Sequence, residues 1–255
     1  MWVQIYTNSP IFVPTIRARG SKVSTPVHAK VQIRRSVKDW RVQGWPQMTP
    51  VHGNGQMKRK AGILAPMGET TVLLHTCCAP CSSAIIEAML QNGIKPVIYY
   101  CNPNIYPHQE YEIRKNECTR YAQALGLEIV DADYDHDKWL AAVKGLESEP
   151  ERGGRCLKCF KLRLLRTAEY ARSRGIKAIT TTLASSRWKS LDQINEAGIW
   201  ACAEINKIPA ETEVVWWDQN WRKGGLQERR LQILKEFDFY NQLYCGCEFS
   251  MRKEG

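Results

Sequence analysis

From residue 71 onward, short apolar runs alternate with amphipathic segments, and this alternation constrains the fold more than any other feature. Runs suited to buried strands cover 71–76, 95–101, 127–133 and 177–183, with a possible edge strand at 213–217. Helical patterns cover about 80–92, 107–126, 136–145, 156–174, 190–205 and 226–237. Strands that alternate with helices form a parallel sheet covered on both faces. The sequence therefore predicts an α/β fold: a doubly wound, mostly parallel, Rossmann-like sheet in a single domain.

Residues 1–67 differ in composition from the rest of the chain. They contain 11 of the 36 Lys and Arg residues and one acid, Asp39, so they account for the whole net charge of +10. They show no sustained strand or helix periodicity, which predicts a basic, disordered N-terminal extension before an α/β domain at 68–255. Two interpretations remain open: an arm that grips RNA, or an upstream extension before a start at Met57 or Met67.

Hydropathy predicts a cytoplasmic protein without a membrane partner. No run of 18 or more apolar residues occurs, and the N-terminus lacks the order of a signal peptide. In a reducing compartment, clustered thiols serve as metal ligands or redox groups more often than as structural disulfides.

Seven of the ten cysteines fall into three tight groups separated by roughly 80 residues. The groups are Cys77, Cys78 and Cys81; Cys156 and Cys159; and Cys245 and Cys247. Cys101, Cys118 and Cys202 stand singly in apolar surroundings, which is typical of buried small hydrophobic residues. The fold must bring the three groups together if they act at one site.

Two of these groups have the spacing of metal ligands. Cys156 and Cys159 lie three residues apart on a predicted helix, so their thiols face the same way. Cys77 and Cys78 leave a strand on a turn and can face a common site. These four thiolates would complete the ligand set of a 4Fe–4S cluster or of tetrahedral zinc, and the spacing does not separate the two. Cys81 lies at a predicted helix start, where the helix dipole lowers a thiol pKa, and is a further candidate ligand.

Cys245 and Cys247 flank a single glycine. A disulfide across so short a ring would be strained, and strained disulfides are the labile, catalytic kind. The alternative is that both are further metal ligands.

Several motifs in order resemble one known family. They are HTCCAPC at 75–81, YYCNPNIYPHQEYEIRKNE at 99–117, RCLKCFKLRL at 155–164, TTTLASSRWKS at 180–190, and NWRKGG with YNQLYCGCEFS within 220–250. From about residue 71 to 250 the chain resembles the epoxyqueuosine reductase family of the QueH type, which does not use cobalamin.

The resemblance implies a specific reaction and site. The family reduces epoxyqueuosine in the anticodon loop of tRNA to queuosine, the last step of queuosine biosynthesis, and the electron donor is unknown. It implies a 4Fe–4S cluster on Cys77, Cys78, Cys156 and Cys159, and a redox-active pair formed by Cys245 and Cys247. Some members bind an additional mononuclear iron, for which Cys81 is the candidate position here.

Other residues have two interpretations each. Asn102, Asn104 and Tyr106 could position a flipped-out base or stabilise a turn. Basic residues near two cysteine groups could contact phosphates or form a solvated face: Arg152, Arg155, Lys158, Lys161, Arg163, Arg166, Arg222, Lys223, Arg229 and Arg230. The alternative function is a zinc-binding or nucleotide-using tRNA-modifying protein of HUP-like fold. A nucleotide-using protein would need a glycine-rich loop where 77–83 reads CCAPCSS.

Overall fold

The computed structural model describes residues 63–251, and within this range five parallel strands alternate with six α-helices. The strands are β1 (Thr71–His75), β2 (Lys95–Tyr100), β3 (Ile129–Asp131), β4 (Ala178–Thr181) and β5 (Val215–Trp216). The helices are α1 (Ala79–Gln91), α2 (His108–Ala124), α3 (His136–Val143), α4 (Gly154–Ser173), α5 (Leu191–Asn206) and α6 (Leu226–Glu236). The predicted α/β fold is confirmed.

The sheet has the strand order β3-β2-β1-β4-β5, and every neighbouring pair is parallel. The chain builds outward from β1 to β3, then returns to the other side of β1 to add β4 and β5. The direction of winding therefore reverses between β1 and β4. In open α/β sheets, ligands bind beyond the carboxyl ends of the strands at such a reversal.

The central strands are buried on both faces, which explains their continuous apolar runs. Leu73, Leu74 and Ile179 are fully buried in the main core. One group of helices packs α1 against α2 and α6, and another packs α4 against α3 and α5. Two such groups around one sheet are the doubly wound arrangement that the sequence predicts.

Three strands, β3, β4 and β5, are shorter than their predicted runs by at least three residues. β4 ends at Thr181, because the Thr181 hydroxyl accepts a hydrogen bond from the backbone N–H of Leu183 and starts a 3₁₀ turn over Thr182–Ser185. β3 covers only Ile129–Asp131 and pairs with β2 alone, as an edge strand does.

The predicted disordered extension lies outside the described residues except for its last five. Within those five, Ala65 is buried in the main core and Ile63 packs against it. The backbone N–H of Ile63 donates to Asn92 Oδ1 at 3.1 Å. In residues 63–251, no helix is long and apolar enough to cross a membrane.

Candidate metal and thiol redox site

The first cysteine group lies where the winding reverses, at the carboxyl end of β1. Cys77 follows β1 by two residues, and Thr182 directly follows β4. The Thr182 hydroxyl accepts from the backbone N–H of Cys77 at 3.2 Å and donates to its Sγ at 3.5 Å. The ends of the two central strands are thus joined through a cysteine of this group.

Cys77, Cys78 and Cys81 form a compact thiol triad. Their sulfurs all lie within 4.8 Å of one another, close enough to hold one metal ion. Cys78 has an extended backbone and is the N-cap of α1, while Cys81 lies in the first turn of that helix. This geometry turns three thiols of one short motif toward a common point.

The three triad thiols differ in pKa because they form hydrogen bonds with one another. Hydrogen bonds from Cys78 and Cys81 hold the pKa of Cys77 well below its usual range. Its partnership with Cys77 raises the pKa of Cys78 well above that range, and the same partnership raises the pKa of Cys81 to about 11. The expected lowering of the Cys81 pKa by the helix dipole is therefore wrong, because Cys77 loses its proton first and a second negative charge beside it is unfavourable.

Gln242, from the C-terminal segment, also reaches this triad. Its Nε2 lies 3.0 Å from Cys78 Sγ and 3.9 Å from Cys81 Sγ, so the amide donates toward two sulfurs. Its Oε1 is buried without a hydrogen-bond partner in the described part of the chain. Donors directed at sulfur are what a thiolate site needs.

The second cysteine group, Cys156 and Cys159, lies at the start of α4. The sulfur of Cys156 accepts from the backbone N–H of Arg152 at 3.3 Å, and both cysteines lie within the first two turns. Burial raises the pKa of Cys156 to about 11, and the thiols of Cys245, Cys159 and Cys247 add to this effect. The second and third groups are therefore electrostatic neighbours, although Cys156 and Cys159 are not members of the thiol triad.

A buried guanidinium lies among the thiols. Arg163 is only 2% exposed and donates to Asn102 Oδ1 at 2.5 Å and to the Cys101 carbonyl at 3.2 Å. It lies 3.9 Å from Cys159 Sγ. Burial opposes its charge, but Cys159 and Cys77 raise the pKa of Arg163 overall. It forms no ion pair with a carboxylate within residues 63–251, so thiolates are its natural counter-charge.

The third group, Cys245-Gly246-Cys247, contacts Lys189 and the apolar cluster that contains Cys159. Cys245 Sγ accepts from Lys189 Nζ at 3.3 Å. Cys247 is 8% exposed and shares a small apolar cluster with Cys159 and Trp139. Burial raises the pKa of Cys247. Both thiols are unbridged in this structure.

A buried ion pair positions this turn. Arg114, paired with Glu110 at 2.7 Å, donates to the carbonyls of Cys245 at 3.1 Å and Tyr244 at 3.3 Å. Gly246 has a φ of 128°, and a Cβ there would lie 3.0 Å from Ile105 Cγ1. The glycine is required both for its backbone conformation and for close packing.

Sequence patterns missed the contacts of Lys189, Gln242 and Arg114 with the cysteine groups. Asn102 is buried and donates to the Thr76 carbonyl at 2.9 Å, so it stabilises the turn rather than facing a ligand. Tyr106 keeps 43% of its surface exposed.

Five of the arginines that were candidate phosphate contacts bind other groups of the protein. Arg155 and Arg163 are buried. Arg229 forms an ion pair with Glu87 at 2.8 Å. These three guanidinium groups are engaged within the fold. Arg152 and Arg222 instead bind backbone carbonyls of the loop after β4.

The fold and site define an α/β protein with a thiol triad that could hold a metal ion at the reversal of its sheet. The matching family model, described as epoxyqueuosine reductase QueH, covers residues 72–253. Proteins named epoxyqueuosine reductase QueH from Histophilus somni and Haemophilus influenzae are each 46% identical over 187 residues, covering 73% of this chain and 74% of theirs. One of the same name from Acinetobacter baylyi is 43% identical over 195 residues, covering 76% and 87%. The chain belongs to the QueH family of epoxyqueuosine reductases, as its motifs predicted, and is an oxidoreductase.

Proposed function

We propose that this protein reduces epoxyqueuosine to queuosine in the anticodon loop of tRNA, in the cytoplasm, at an iron–sulfur site with a redox-active cysteine pair. The observation that supports the proposal is the thiol triad of Cys77, Cys78 and Cys81 beside the reversal of the sheet, in a chain of the QueH family. Each cysteine group also has a polar or charged neighbour. Thr182 contacts Cys77, Lys189 contacts Cys245, and Arg163 lies beside Cys159.

The proposed ligands of a 4Fe–4S cluster are Cys77, Cys78, Cys156 and Cys159. Soft thiolates suit iron–sulfur clusters, and four of them complete one cluster. The surroundings fit such a group, because Arg163 and the Gln242 amide supply positive charge and a donor directed at sulfur. Cys81, within 4.8 Å of the other triad sulfurs, is the proposed ligand of an additional mononuclear iron. When bound, these centres would supply single electrons and a Lewis acid at the site.

Cys245 and Cys247 are proposed to supply the electron pair. Two carbon–oxygen bonds of the epoxide break and a carbon–carbon double bond forms. The two thiols lose two electrons and two protons as their disulfide forms, and the oxygen leaves as water with those protons. An external reductant then returns the disulfide to two thiols.

The chain's own residues prepare this step. Lys189 Nζ donates to Cys245 Sγ at 3.3 Å, so a cation faces this sulfur and orients it. Arg114 fixes the carbonyls of the turn, so that the Cys245 and Cys247 side chains start from a defined backbone. The burial of Cys247 keeps water away from one of the two sulfurs.

The test is turnover by protein reconstituted anaerobically with iron and sulfide. With dithionite or dithiothreitol as reductant, tRNA that carries epoxyqueuosine should yield queuosine in nucleoside digests analysed by mass spectrometry. The same chain loaded with zinc keeps the Cys245 and Cys247 thiols but has no centre that transfers single electrons, so it should leave epoxyqueuosine unchanged if the iron–sulfur site takes part in the reduction. Equal turnover by the zinc form would contradict the iron–sulfur proposal.

A further inference from the structure

The loop between β4 and α5 presents an exposed indole next to the candidate site. Trp188 is 78% exposed, whereas its neighbour Lys189 points inward to Cys245 Sγ at 3.3 Å. An exposed tryptophan forgoes the burial that normally stabilises so large an apolar ring. One beside a reactive thiol is therefore a candidate contact for a ligand.

The backbone of this loop is held in place at three successive carbonyls. Arg152 donates through Nε to the Trp188 carbonyl at 3.0 Å and through Nη2 to the Arg187 carbonyl at 2.8 Å. Arg222 Nη2 donates to the Lys189 carbonyl at 2.8 Å. The indole is thus displayed by a fixed backbone.

The same contacts tie the loop to two cysteine groups. The backbone N–H of Arg152 donates to Cys156 Sγ, and Lys189 reaches Cys245. Trp188 therefore has a defined position relative to both groups.

The charged side chains of the loop that carries Trp188 are cations. Arg152, Arg187, Lys189 and Arg222 form no ion pair with a carboxylate among the described residues, and 186–190 contains no acid. Arg152 and Arg222 donate to carbonyls and Lys189 donates to Cys245, so Arg187 is the exposed cation beside the ring. An exposed ring next to an exposed cation complements a single-stranded nucleic acid, which offers a base to the ring and a phosphate to the cation.

We propose that Trp188 stacks on an unpaired base of the anticodon loop beside the modified one, while Arg187 contacts a neighbouring phosphate. This deepens the proposed function, on which it rests, by identifying an element that recognises the RNA. Bases in single-stranded loops are commonly held by stacking on aromatic side chains. The fixed loop would then set the distance between the stacked base and the thiol of Cys245.

The experiment measures binding separately from turnover. The affinity of a fluorescently labelled anticodon stem–loop RNA is measured by polarisation at several salt concentrations for wild type, Trp188→Ala, Trp188→Phe and Arg187→Ala. Trp188→Ala should weaken binding about tenfold with an unchanged salt dependence, and Trp188→Phe should stay within about threefold of wild type. Arg187→Ala should reduce the slope of log affinity against log salt by about one, because one phosphate contact is lost.

Ile199→Ala is the matched control, since Ile199 is a 60% exposed apolar residue on α5. It should bind RNA like wild type, and all variants should keep wild-type Tm and iron content. The proposal is overturned if Trp188→Ala binds within about twofold of wild type, or if Trp188→Phe is as weak as Trp188→Ala. The stacking proposal is also overturned if Trp188→Ala keeps its RNA affinity but turns over more slowly when a protein serves as the reductant. That result would assign the indole to a protein partner.

The two proposals fail separately. If wild type binds the stem–loop through Trp188 but forms no queuosine, the proposed function fails and the stacking contact stands. If wild type forms queuosine while Trp188→Ala binds normally, only the stacking contact fails.

Discussion

At the residue scale, the site is defined by cations that have thiols rather than carboxylates as neighbours. Arg163 is buried beside Cys159, and Lys189 contacts Cys245. Burying a charge without a counter-charge is strongly unfavourable. Sulfur atoms, rather than carboxylates, are therefore the groups that face these two cations.

Cys156→Ser should lose most of the bound iron and sulfide, because a hydroxyl is a poor ligand for a soft iron–sulfur centre. Cys77→Ser, Cys78→Ser and Cys159→Ser should do the same. The measurement is iron and sulfide content after anaerobic reconstitution, with the absorbance near 400 nm as a second readout.

Cys202→Ala is the control for this series. Cys202 is buried on α5, and burial alone raises its pKa to about 12, which marks it as a packing residue. It should retain full iron. Full iron in Cys156→Ser would remove that residue from the ligand set.

Gly246→Ala should abolish multiple turnover while iron content stays at the wild-type level. An added Cβ would lie 3.0 Å from Ile105 Cγ1 and 3.2 Å from Arg114 Nη1, and the φ of 128° is unfavourable for alanine. The strain of about 1–3 kcal/mol should displace the turn that holds Cys245 and Cys247. Turnover and Tm are compared with those of wild type.

Gly224→Ala separates backbone strain from crowding. Gly224 also has a positive φ, 78°, but no atom lies within 4 Å of its added Cβ. It should keep most of the activity. Equal losses in both variants would show that crowding at Gly246 is unimportant.

At the element scale, α5 approaches the edge strand β5 closely enough to require a glycine. A Cβ on Gly198 would lie 2.2 Å from Trp216 Cδ2, and the Trp216 indole donates to Asn195 at 3.3 Å. The helix is thereby held against the edge of the sheet.

Gly198→Ala should reduce the free energy of unfolding by about 1–3 kcal/mol through overpacking, with little change in iron content. Thermal and denaturant unfolding measure the change. Gly198→Ala combined with Trp216→Leu should recover part of it, because the smaller side chain makes room. A double variant less stable than the sum of the two single changes would contradict the crowding explanation.

At the scale of the whole molecule, local patterns predicted the elements and not the long-range contacts of the site. Apolar periodicity predicted each strand and helix to within a few residues, and cysteine spacing predicted that the thiols of the first group can face a common site. Lys189 meets Cys245 across 56 positions, Arg114 meets the same residue across 131, and Gln242 meets Cys78 across 164. Such pairs follow only from the arrangement of the strands.

Removal of residues 1–62 should leave kcat/KM for tRNA within about tenfold of the full chain, a difference of about 1.4 kcal/mol at most. A chain that begins at Met67 should have similar kcat/KM but a lower Tm, because it loses the packing of Ile63 and Ala65. If removal of residues 1–62 alone lowers kcat/KM by more than about tenfold at moderate salt, the result would favour a basic arm that binds RNA.

A single-turnover experiment without added reductant tests the proposed role of Cys245 and Cys247. Reduced, iron-loaded protein is mixed anaerobically with tRNA carrying epoxyqueuosine, and queuosine and the oxidation state of the peptide containing Cys245 and Cys247 are measured in the same samples. We expect one disulfide, seen as a loss of two hydrogens, for each queuosine formed. Queuosine formed while both thiols stay reduced would contradict that role.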